Sequence, residues 1–268
     1  MIDYKFRVKL WEGDAPGHEE GFDVPHIKYY PAKEKKSRGA VVTFAGGGYR
    51  NRALYECEGY CEFLSERGID CFDVEYRIKP ARFPYPLLDA RRAIRFVRSK
   101  AEELGIDPNM IAVMGSSAGG HLAALVSTYK GVIAGEGVDE LDKLDCMPNA
   151  SILCYPVLDI DGHPGSFFNL LGDAYSKHRT VTPLHLADRN TPPVFMWHTS
   201  SDPAVDVNNS YRYAARLHEL GIQTEFHVYP IGGHGLGLGY HPDKNIDEPY
   251  VQSWSQNLLC WLKLQGWL

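Results

Sequence analysis

The sequence predicts an α/β fold in which helices cover both faces of a mainly parallel sheet. Short apolar runs typical of buried strands alternate with amphipathic segments of helical length between residues 40 and 264. Glycine follows several helical segments, as at Gly68, Gly105 and Gly221, and glycine there is typical of a helix end. The length of 268 residues suits one large core, and no linker or repeat divides the chain, so we expect a single domain over 1–268.

The predicted elements begin with an antiparallel edge. Two short β-type runs in the first forty residues lie among glycine, proline and charged residues, which predicts strands that lead into the main sheet. The predicted strands are residues 5–10, 27–30, 40–45, 69–76, 111–114, 151–155, 194–198 and 224–229. The predicted helices are about residues 54–66, 87–104, 208–220 and 250–264, with one more that follows Ser117 and ends near residue 129.

Composition argues against several classes of function. The net charge of −6 and the sequence pI near 6.0 give no basic surface for nucleic acid. Four arginines, at positions 91, 92, 95 and 98, alternate with apolar residues and predict the solvated face of one helix. No apolar run approaches the roughly 20 residues of a membrane span, and the first residues lack the pattern of a signal peptide. We therefore expect a cytoplasmic protein with no nucleic-acid or membrane partner.

The six cysteines predict neither a disulfide framework nor a metal centre. Cys57 and Cys61 lie four residues apart on a predicted helix, where two thiolates could bind one metal ion. No second Cys or His pair lies close in sequence to complete such a site, so a structural role is the prediction. We expect no metal and no cofactor.

Gly115-Ser116-Ser117-Ala118-Gly119 matches G-x-S-x-G, the nucleophile elbow of α/β-hydrolases. In this turn a serine lies between a strand and a helix, and its hydroxyl stands clear of the sheet, where a substrate carbonyl can reach it. The match falls between an apolar strand and an apolar helical segment, as the turn requires. We predict that Ser117 is the nucleophile; a glycine-rich packing turn without chemistry is the alternative.

A serine nucleophile needs a base, and the base needs an orienting acid. In α/β-hydrolases the acid and then the histidine follow the serine along the chain. Asp202 comes after the predicted strand 194–198 and three small polar residues, and His234 lies on a glycine-lined loop after the last strand. We predict that both lie beyond the carboxyl ends of strands, where open α/β sheets bind ligands.

Other residues could take these two roles. Asp206 lies four residues after Asp202 but begins the next helix, which predicts a cap or first-turn acid. His198 falls at the end of a buried strand, which predicts a hydrogen-bonded core histidine. His121 follows Ser117 by four residues on the helix, but the elbow points its serine away from the helix surface. The remaining rivals, His227 and His241, lack a glycine-lined loop at a strand end.

Gly46-Gly47-Gly48 follows the first central strand, where this fold places its oxyanion loop. Attack on a carbonyl creates an oxyanion that needs preorganised N–H donors, and glycine lets the backbone approach the substrate closely. We assign the oxyanion hole to the N–H groups of Gly47, Gly48 and Ala118. A phosphate cradle is not indicated, because neither a Walker lysine nor a G-x-G-x-x-G pattern is present.

With these residues in place, the chain resembles the microbial branch of the α/β-hydrolases that contains acetyl esterases, acetylxylan esterases and feruloyl-esterase-like proteins. The likeness runs from Tyr29 to the final helix. Its specific pieces are Gly46-Gly47-Gly48-Tyr49, Tyr76-Arg77, Phe83-Pro84, Leu88-Asp89, residues 115–122, Asn169-Leu170-Leu171-Gly172, residues 198–202 and residues 233–237. One departure is Ala45, since relatives of hormone-sensitive lipase usually carry a histidine there that supports the oxyanion loop, so another group must support it here.

The resemblance implies an α/β-hydrolase fold with a small cap insertion, about residues 158–192, and an esterase that cleaves short acyl esters, such as acetyl on a sugar. So short a cap lacks the apolar surface that a long acyl chain would require. Tyr49, Arg50 and Tyr55 follow the glycines and could border a small-molecule ester, although a structural role is equally open for each.

Two other functions remain open at this stage. An amide-bond hydrolase, such as an arylformamidase or a prolyl-peptidase relative, would use the same three catalytic residues. A non-enzymatic ligand receptor on a hydrolase scaffold typically lacks one of them, and all three are present here.

Overall fold

In a computed structural model that describes residues 4–268, eight strands form one sheet and helices pack on both of its faces. The strands are β1 (Phe6–Lys9), β2 (His26–Tyr30), β3 (Ala40–Phe44), β4 (Asp70–Glu75), β5 (Ile111–Ser116), β6 (Ala150–Cys154), β7 (Val194–Thr199) and β8 (Thr224–Tyr229). The helices are α1 (Leu54–Glu66), α2 (Tyr85–Ser99), α3 (Ala101–Leu104), α4 (Ala118–Thr128), α5 (Pro164–Leu171), α6 (Pro183–Leu186), α7 (Asn208–Glu219) and α8 (Ser253–Leu264).

The strand order across the sheet is β1-β2-β4-β3-β5-β6-β7-β8. β1 and β2 are antiparallel to their neighbours, and every pair from β4 to β8 is parallel. The predicted antiparallel edge and mainly parallel sheet are therefore confirmed. Because the strands from β3 to β8 point the same way, the loops that follow β3, β5, β7 and β8 meet at one edge of the sheet.

Alternating side chains of the central strands supply two separate cores. On β5, Val113 joins the cluster that holds apolar residues of α2, α4 and α7, whereas Ala112 and Met114 join the cluster of α1 and α8. A strand buried on both faces must be apolar at every position, which is why these strands read as continuous apolar runs. Helix α1 has the predicted bounds of 54–66.

Some predicted bounds differ from the structure. The helix predicted over 87–104 is two helices, α2 and α3, that meet at Lys100. Near the end of α2 the Ser99 hydroxyl donates to the Phe96 carbonyl oxygen at 2.8 Å, a local bond that competes with helix continuation. The last helix starts at Ser253, preceded by an unpredicted two-stranded ribbon of β9 (Tyr240–His241) and β10 (Ile246–Asp247).

The arginine cluster on α2 corrects a prediction. Arg91, Arg92 and Arg95 are buried, not solvated. Acidic side chains of the segment after α4 cover them: Arg92 Nη2 lies 2.6 Å from Asp139 Oδ2, and Arg91 Nη1 lies 2.8 Å from Glu136 Oε2. Helical spacing alone cannot reveal partners forty or more residues away, so the pattern was wrongly read as a solvated face.

Residues 158–192 form a small insertion between β6 and β7 that contains α5, a 3₁₀ segment (Gly172–Val181) and α6. It is fixed to the rest of the fold through α4, where His121 Nε2 lies 2.8 Å from the Val181 carbonyl oxygen. Within residues 4–268, every helix is too short or too polar to reach across a lipid bilayer.

Candidate active site

Ser117 occupies a strained turn between β5 and α4, with φ of 54° and ψ of −117°. Positive φ is costly for a residue with a side chain, so the surroundings must hold it. The Ser117 N–H donates to the Cys154 carbonyl oxygen at 3.0 Å, and the Ser117 carbonyl oxygen accepts the Val157 N–H at 3.1 Å. A Cβ atom at Gly115 or Gly119 would collide with main-chain oxygen atoms, so the motif glycines are required by close backbone packing.

The two serines of the motif point to opposite sides. Ser116 is fully buried, and its hydroxyl lies 2.7 Å from the Tyr60 hydroxyl. Ser117 keeps 8% of its surface exposed and lines a cavity at the edge of the sheet. Only Ser117 can therefore meet a substrate in this conformation.

The structure brings the three predicted catalytic side chains into one hydrogen-bonded chain. His234 Nε2 lies 2.8 Å from Ser117 Oγ, and His234 Nδ1 lies 2.7 Å from Asp202 Oδ2. Asp202 lies on the loop after β7, and His234 lies on residues 230–239, the histidine loop, after β8. Since a carboxylate only accepts, His234 donates from Nδ1, and its Nε2 lone pair faces the Ser117 hydroxyl.

The Asp202 carboxylate is held in its ionised form. Burial alone would raise its pKa, but hydrogen bonds from His198 and His234, with the positive charge that His234 can carry, lower the pKa well below its usual range. Its other oxygen accepts the N–H groups of Ala204 at 2.8 Å and Val205 at 3.0 Å. These bonds leave the carboxylate one orientation, toward the imidazole of His234.

His198 is a second histidine on Asp202 that the sequence did not reveal. It is buried, with Nε2 3.2 Å from Asp202 Oδ2 and Nδ1 2.8 Å from Ser210 Oγ. The sequence predicted a hydrogen-bonded core histidine, and the structure adds that one of its partners is the candidate acid.

The contacts of the other rivals are with groups other than Ser117. The Asp206 carboxylate is exposed and accepts the N–H of Asn208 at the start of α7. His227 pairs with Glu225 on β8, and the His241 ring packs against Tyr55.

Residues 46–53, the glycine loop, connect β3 to α1 and face Ser117. Gly47 has φ of 120°, and a Cβ atom there would collide with the Asn51 main chain. Within residues 4–268, the N–H groups of Gly47, Gly48 and Ala118 donate to no protein acceptor. Ala118 is the first residue of α4, where the helix leaves N–H groups unpaired and favours negative charge.

Glu56 of α1 supports the glycine loop in place of the absent histidine. Its Oε2 atom accepts the Gly46 N–H at 3.0 Å, and its Oε1 atom accepts the Tyr155 hydroxyl at 2.7 Å. The Tyr155 hydroxyl in turn accepts the Gly237 N–H at 2.9 Å. One buried carboxylate thus connects the glycine loop to the histidine loop.

The position of Glu56 carries a detectable sequence signal. It lies on the same helical face as Tyr60 and Phe63, which are apolar and buried, so a carboxylate there is unexpected. Burial raises the pKa of Glu56, while hydrogen bonds from Tyr155 and Gly46 and the nearby charge of His234 oppose that rise.

The prediction that Tyr49 could contact the substrate is wrong for its side chain. The Tyr49 ring is buried, and its hydroxyl donates to His121 Nδ1 at 2.6 Å, because His121 Nε2 faces the Val181 carbonyl. Arg50 is exposed and borders the cavity, as does Tyr55, whose hydroxyl donates to the Gly235 carbonyl oxygen at 2.6 Å.

The cavity beside Ser117 has a volume of about 390 Å³. Its lining residues are Gly47, Gly48, Arg50, Asn51, Ala53, Tyr55, Glu56, Ser117, His163, Asn169, Ala204, Val205, His234 and Gly235. A larger cavity of about 800 Å³ lies beside Trp11 and Arg92 and shares no lining residue with this one. We assign the active site to the smaller cavity, because the reactive groups converge there.

A family model described as BD-FAE matches residues 27–217. The chain is 30% identical over 261 residues to endo-1,4-beta-xylanase B of Butyrivibrio fibrisolvens, a match that covers 94% of this chain and 40% of that protein. It is 32% identical over 217 residues to the acetylxylan esterase of Xylanibacter ruminicola, covering 77% of this chain and 42% of that protein. The chain thus spans about two fifths of the length of these curated relatives.

A solved structure matches over the whole chain. The acetyl ester-xyloside bifunctional hydrolase from Caldicellulosiruptor lactoaceticus is 37% identical in sequence to this chain, and its crystal structure matches this one with a TM-score of 0.89. The match covers 100% of this chain and 99% of that one. The likeness therefore extends over every element that surrounds the cavity.

Substitution of Glu56 tests its role as a positioning residue. In Glu56→Gln the amide N–H₂ must face either the Gly46 N–H, where the hydrogen bond is lost, or the Tyr155 hydroxyl, which must then accept and turn its proton away. The substitution also removes the carboxylate's capacity for negative charge between the two loops. We expect kcat for p-nitrophenyl acetate to fall at least roughly tenfold, with KM nearly unchanged. The reason is that a misplaced glycine loop would lose part of the rate enhancement that an oxyanion donor supplies. Glu62→Gln, on an exposed position of the same helix, is the control. Equal kcat in the two variants would contradict this role.

Proposed function

The chain belongs to the BD-FAE family and is an α/β-hydrolase related to acetyl and acetylxylan esterases, and we propose that it is a serine carboxylesterase that removes short acyl groups, foremost acetyl, from carbohydrate. The observation that carries this proposal is the hydrogen-bonded chain from Asp202 through His234 to Ser117, beside three unused N–H donors.

The proposed first half-reaction forms an acyl-enzyme. Ser117 Oγ attacks the ester carbonyl carbon while His234 Nε2 takes its proton, and Asp202 stabilises the imidazolium. The oxyanion of the tetrahedral intermediate accepts hydrogen bonds from Gly47, Gly48 and Ala118. When the intermediate collapses, the bond from carbon to the alcohol oxygen breaks, and His234 gives its proton to the leaving alcohol.

The second half-reaction releases the acid. His234 takes a proton from a water molecule, whose oxygen attacks the acyl carbon on Ser117. The same N–H groups stabilise the second tetrahedral intermediate. Its collapse breaks the bond to Ser117 Oγ, which recovers its proton from His234, and the carboxylic acid leaves.

The size and polarity of the cavity support a short acyl group on a polar alcohol. At about 390 Å³ it lies near the low end of ligand sites. Polar side chains border it, namely Arg50, Asn51, His163 and Asn169, which suits an alcohol rich in hydroxyl groups better than a long alkyl chain. The names of the relatives, an acetylxylan esterase and an acetyl ester-xyloside hydrolase, support acetylated xylose units as substrate.

The substrate class is tested by comparing kcat/KM for acetyl, butyryl and feruloyl esters of methyl xyloside with that for an N-formyl aryl amide. We expect the acetyl ester to be preferred, because the cavity of about 390 Å³ is small and polar side chains border it. Turnover of the formamide with none of the sugar esters would replace this proposal with an arylformamidase. Binding of the esters without any turnover would favour a receptor.

The acid is tested with a matched pair of variants. Asp202→Asn should lower turnover by roughly 10⁴, because His234 loses the carboxylate that fixes its tautomer. Asp206→Asn should keep turnover and cost on the order of 1 kcal/mol of unfolding free energy or less, because its exposed carboxylate accepts the N–H of Asn208 at the start of α7. Steady-state rates and urea unfolding measure the two effects. If Asp206→Asn is the inactive variant, the roles must be exchanged.

A further inference from the structure

A second histidine, His163, lines the cavity but lies outside the hydrogen-bonded chain. It immediately precedes Pro164, the first residue of α5. Its Nδ1 atom accepts the N–H of Ser166 at 3.1 Å and lies 2.9 Å from the Ser166 hydroxyl. An imidazole nitrogen that accepts a main-chain N–H carries no proton, so the proton of the neutral ring is on Nε2. Within residues 4–268, that Nε2 atom has no hydrogen-bond partner.

The surroundings favour the neutral form of this imidazole. Burial lowers the pKa of His163, the charge that His234 can carry lowers it further, and the Asp202 carboxylate opposes both. The other titratable or charged groups on the cavity wall are Arg50, Tyr55 and Glu56. The neutral ring offers one N–H donor and adds no positive charge that would compete with protonation of His234.

Helix α5 fixes His163 relative to the reacting groups. From the same helix, Asn169 Nδ2 donates to the Gly48 carbonyl oxygen at 2.9 Å, which ties α5 to the glycine loop. The imidazole is fixed in turn through Ser166. A donor that is already oriented loses little entropy when it binds a substrate oxygen.

The position of His163 in the cavity determines which part of the substrate it can contact. His234 must give its proton to the leaving alcohol oxygen, so the alcohol lies on the side of His234, while the carbonyl oxygen lies toward Gly47 and Gly48. His163 follows Gly162, whose carbonyl oxygen accepts the Asp206 N–H at 3.2 Å, so its main chain is attached to the loop that carries Asp202. It lines the cavity together with His234 and with Ala204 of that loop. It therefore borders the alcohol side.

We propose that the Nε2–H group of His163 donates a hydrogen bond to a hydroxyl oxygen of the alcohol, and so makes the enzyme select esters of polyhydroxy alcohols over esters of simple alcohols. This specificity role rests on the proposed esterase function. A site built to hydrogen-bond a substrate hydroxyl disfavours the analogue without it, because the buried donor is left unpaired.

The test uses His163→Asn and two acetate esters. Asparagine keeps an oxygen that can accept the Ser166 N–H at the start of α5, but it is shorter and has no group in the place of Nε2. The substrates are a monoacetylated methyl xyloside, with free hydroxyl groups, and ethyl acetate, with none. We expect kcat/KM to fall about tenfold for the sugar ester, mainly through KM, the effect of one lost hydrogen bond. For ethyl acetate it should stay within about twofold.

His185→Asn, on an exposed position of α6, is the control and should change neither value. Equal losses on both esters in His163→Asn would mean that the residue only supports α5 and would overturn the specificity role. An unchanged preference for the sugar ester would overturn it as well. A wild-type enzyme that cleaves neither acetate ester would instead refute the esterase function itself, so the two failures are distinguishable.

Discussion

The backbone turn at Ser117 is the constraint on which the rest of the site depends. With φ of 54°, Ser117 is held between β5 and α4 by main-chain hydrogen bonds to Cys154 and Val157. The same turn makes Ala118 the first residue of α4 and so leaves its N–H group unpaired beside the serine hydroxyl. The turn therefore positions the proposed nucleophile and one proposed oxyanion donor together. The packing of β3, β5 and α4 must offset the energetic cost of this strained backbone.

Two buried carboxylates organise the groups around that turn. Asp202 contacts His234 directly, whereas Glu56 acts through Gly46 on the glycine loop and through Tyr155 on the histidine loop. In the proposed mechanism, the imidazolium that forms when Ser117 loses its proton is therefore stabilised by one carboxylate in contact and a second nearby. Because Glu56 holds both loops, the distance between the proposed base, His234, and the proposed oxyanion donors depends on this one side chain.

Sequence reasoning succeeded where local pattern determines position. Ser117, Asp202 and His234 could be located because each follows a recognisable apolar strand, and parallel strands bring their carboxyl ends to one edge. The bounds of α1 were also predictable, since an apolar helical face ends in Gly68.

Sequence reasoning failed where a side chain contacts a partner that is distant in the chain. The buried arginines of α2 are neutralised by acids more than forty residues later, and Tyr49 is drawn into the core by His121. The sequence does not indicate that His163 lines the cavity, because its position there depends on how α5 packs against the glycine loop. Only Glu56 could have been found, as a charge on an apolar helical face.

The central claim, that Ser117 is the nucleophile, is tested most directly by covalent labelling. A fluorophosphonate that phosphonylates activated serines is incubated with the wild type and with Ser117→Ala, and the modified peptide is identified by mass spectrometry. We expect one label per chain, on Ser117, and none in the variant, because the Ser117 hydroxyl lies 2.8 Å from His234 Nε2 and borders an open cavity. Labelling of Ser116, or equal labelling of Ser117→Ala, would contradict the account.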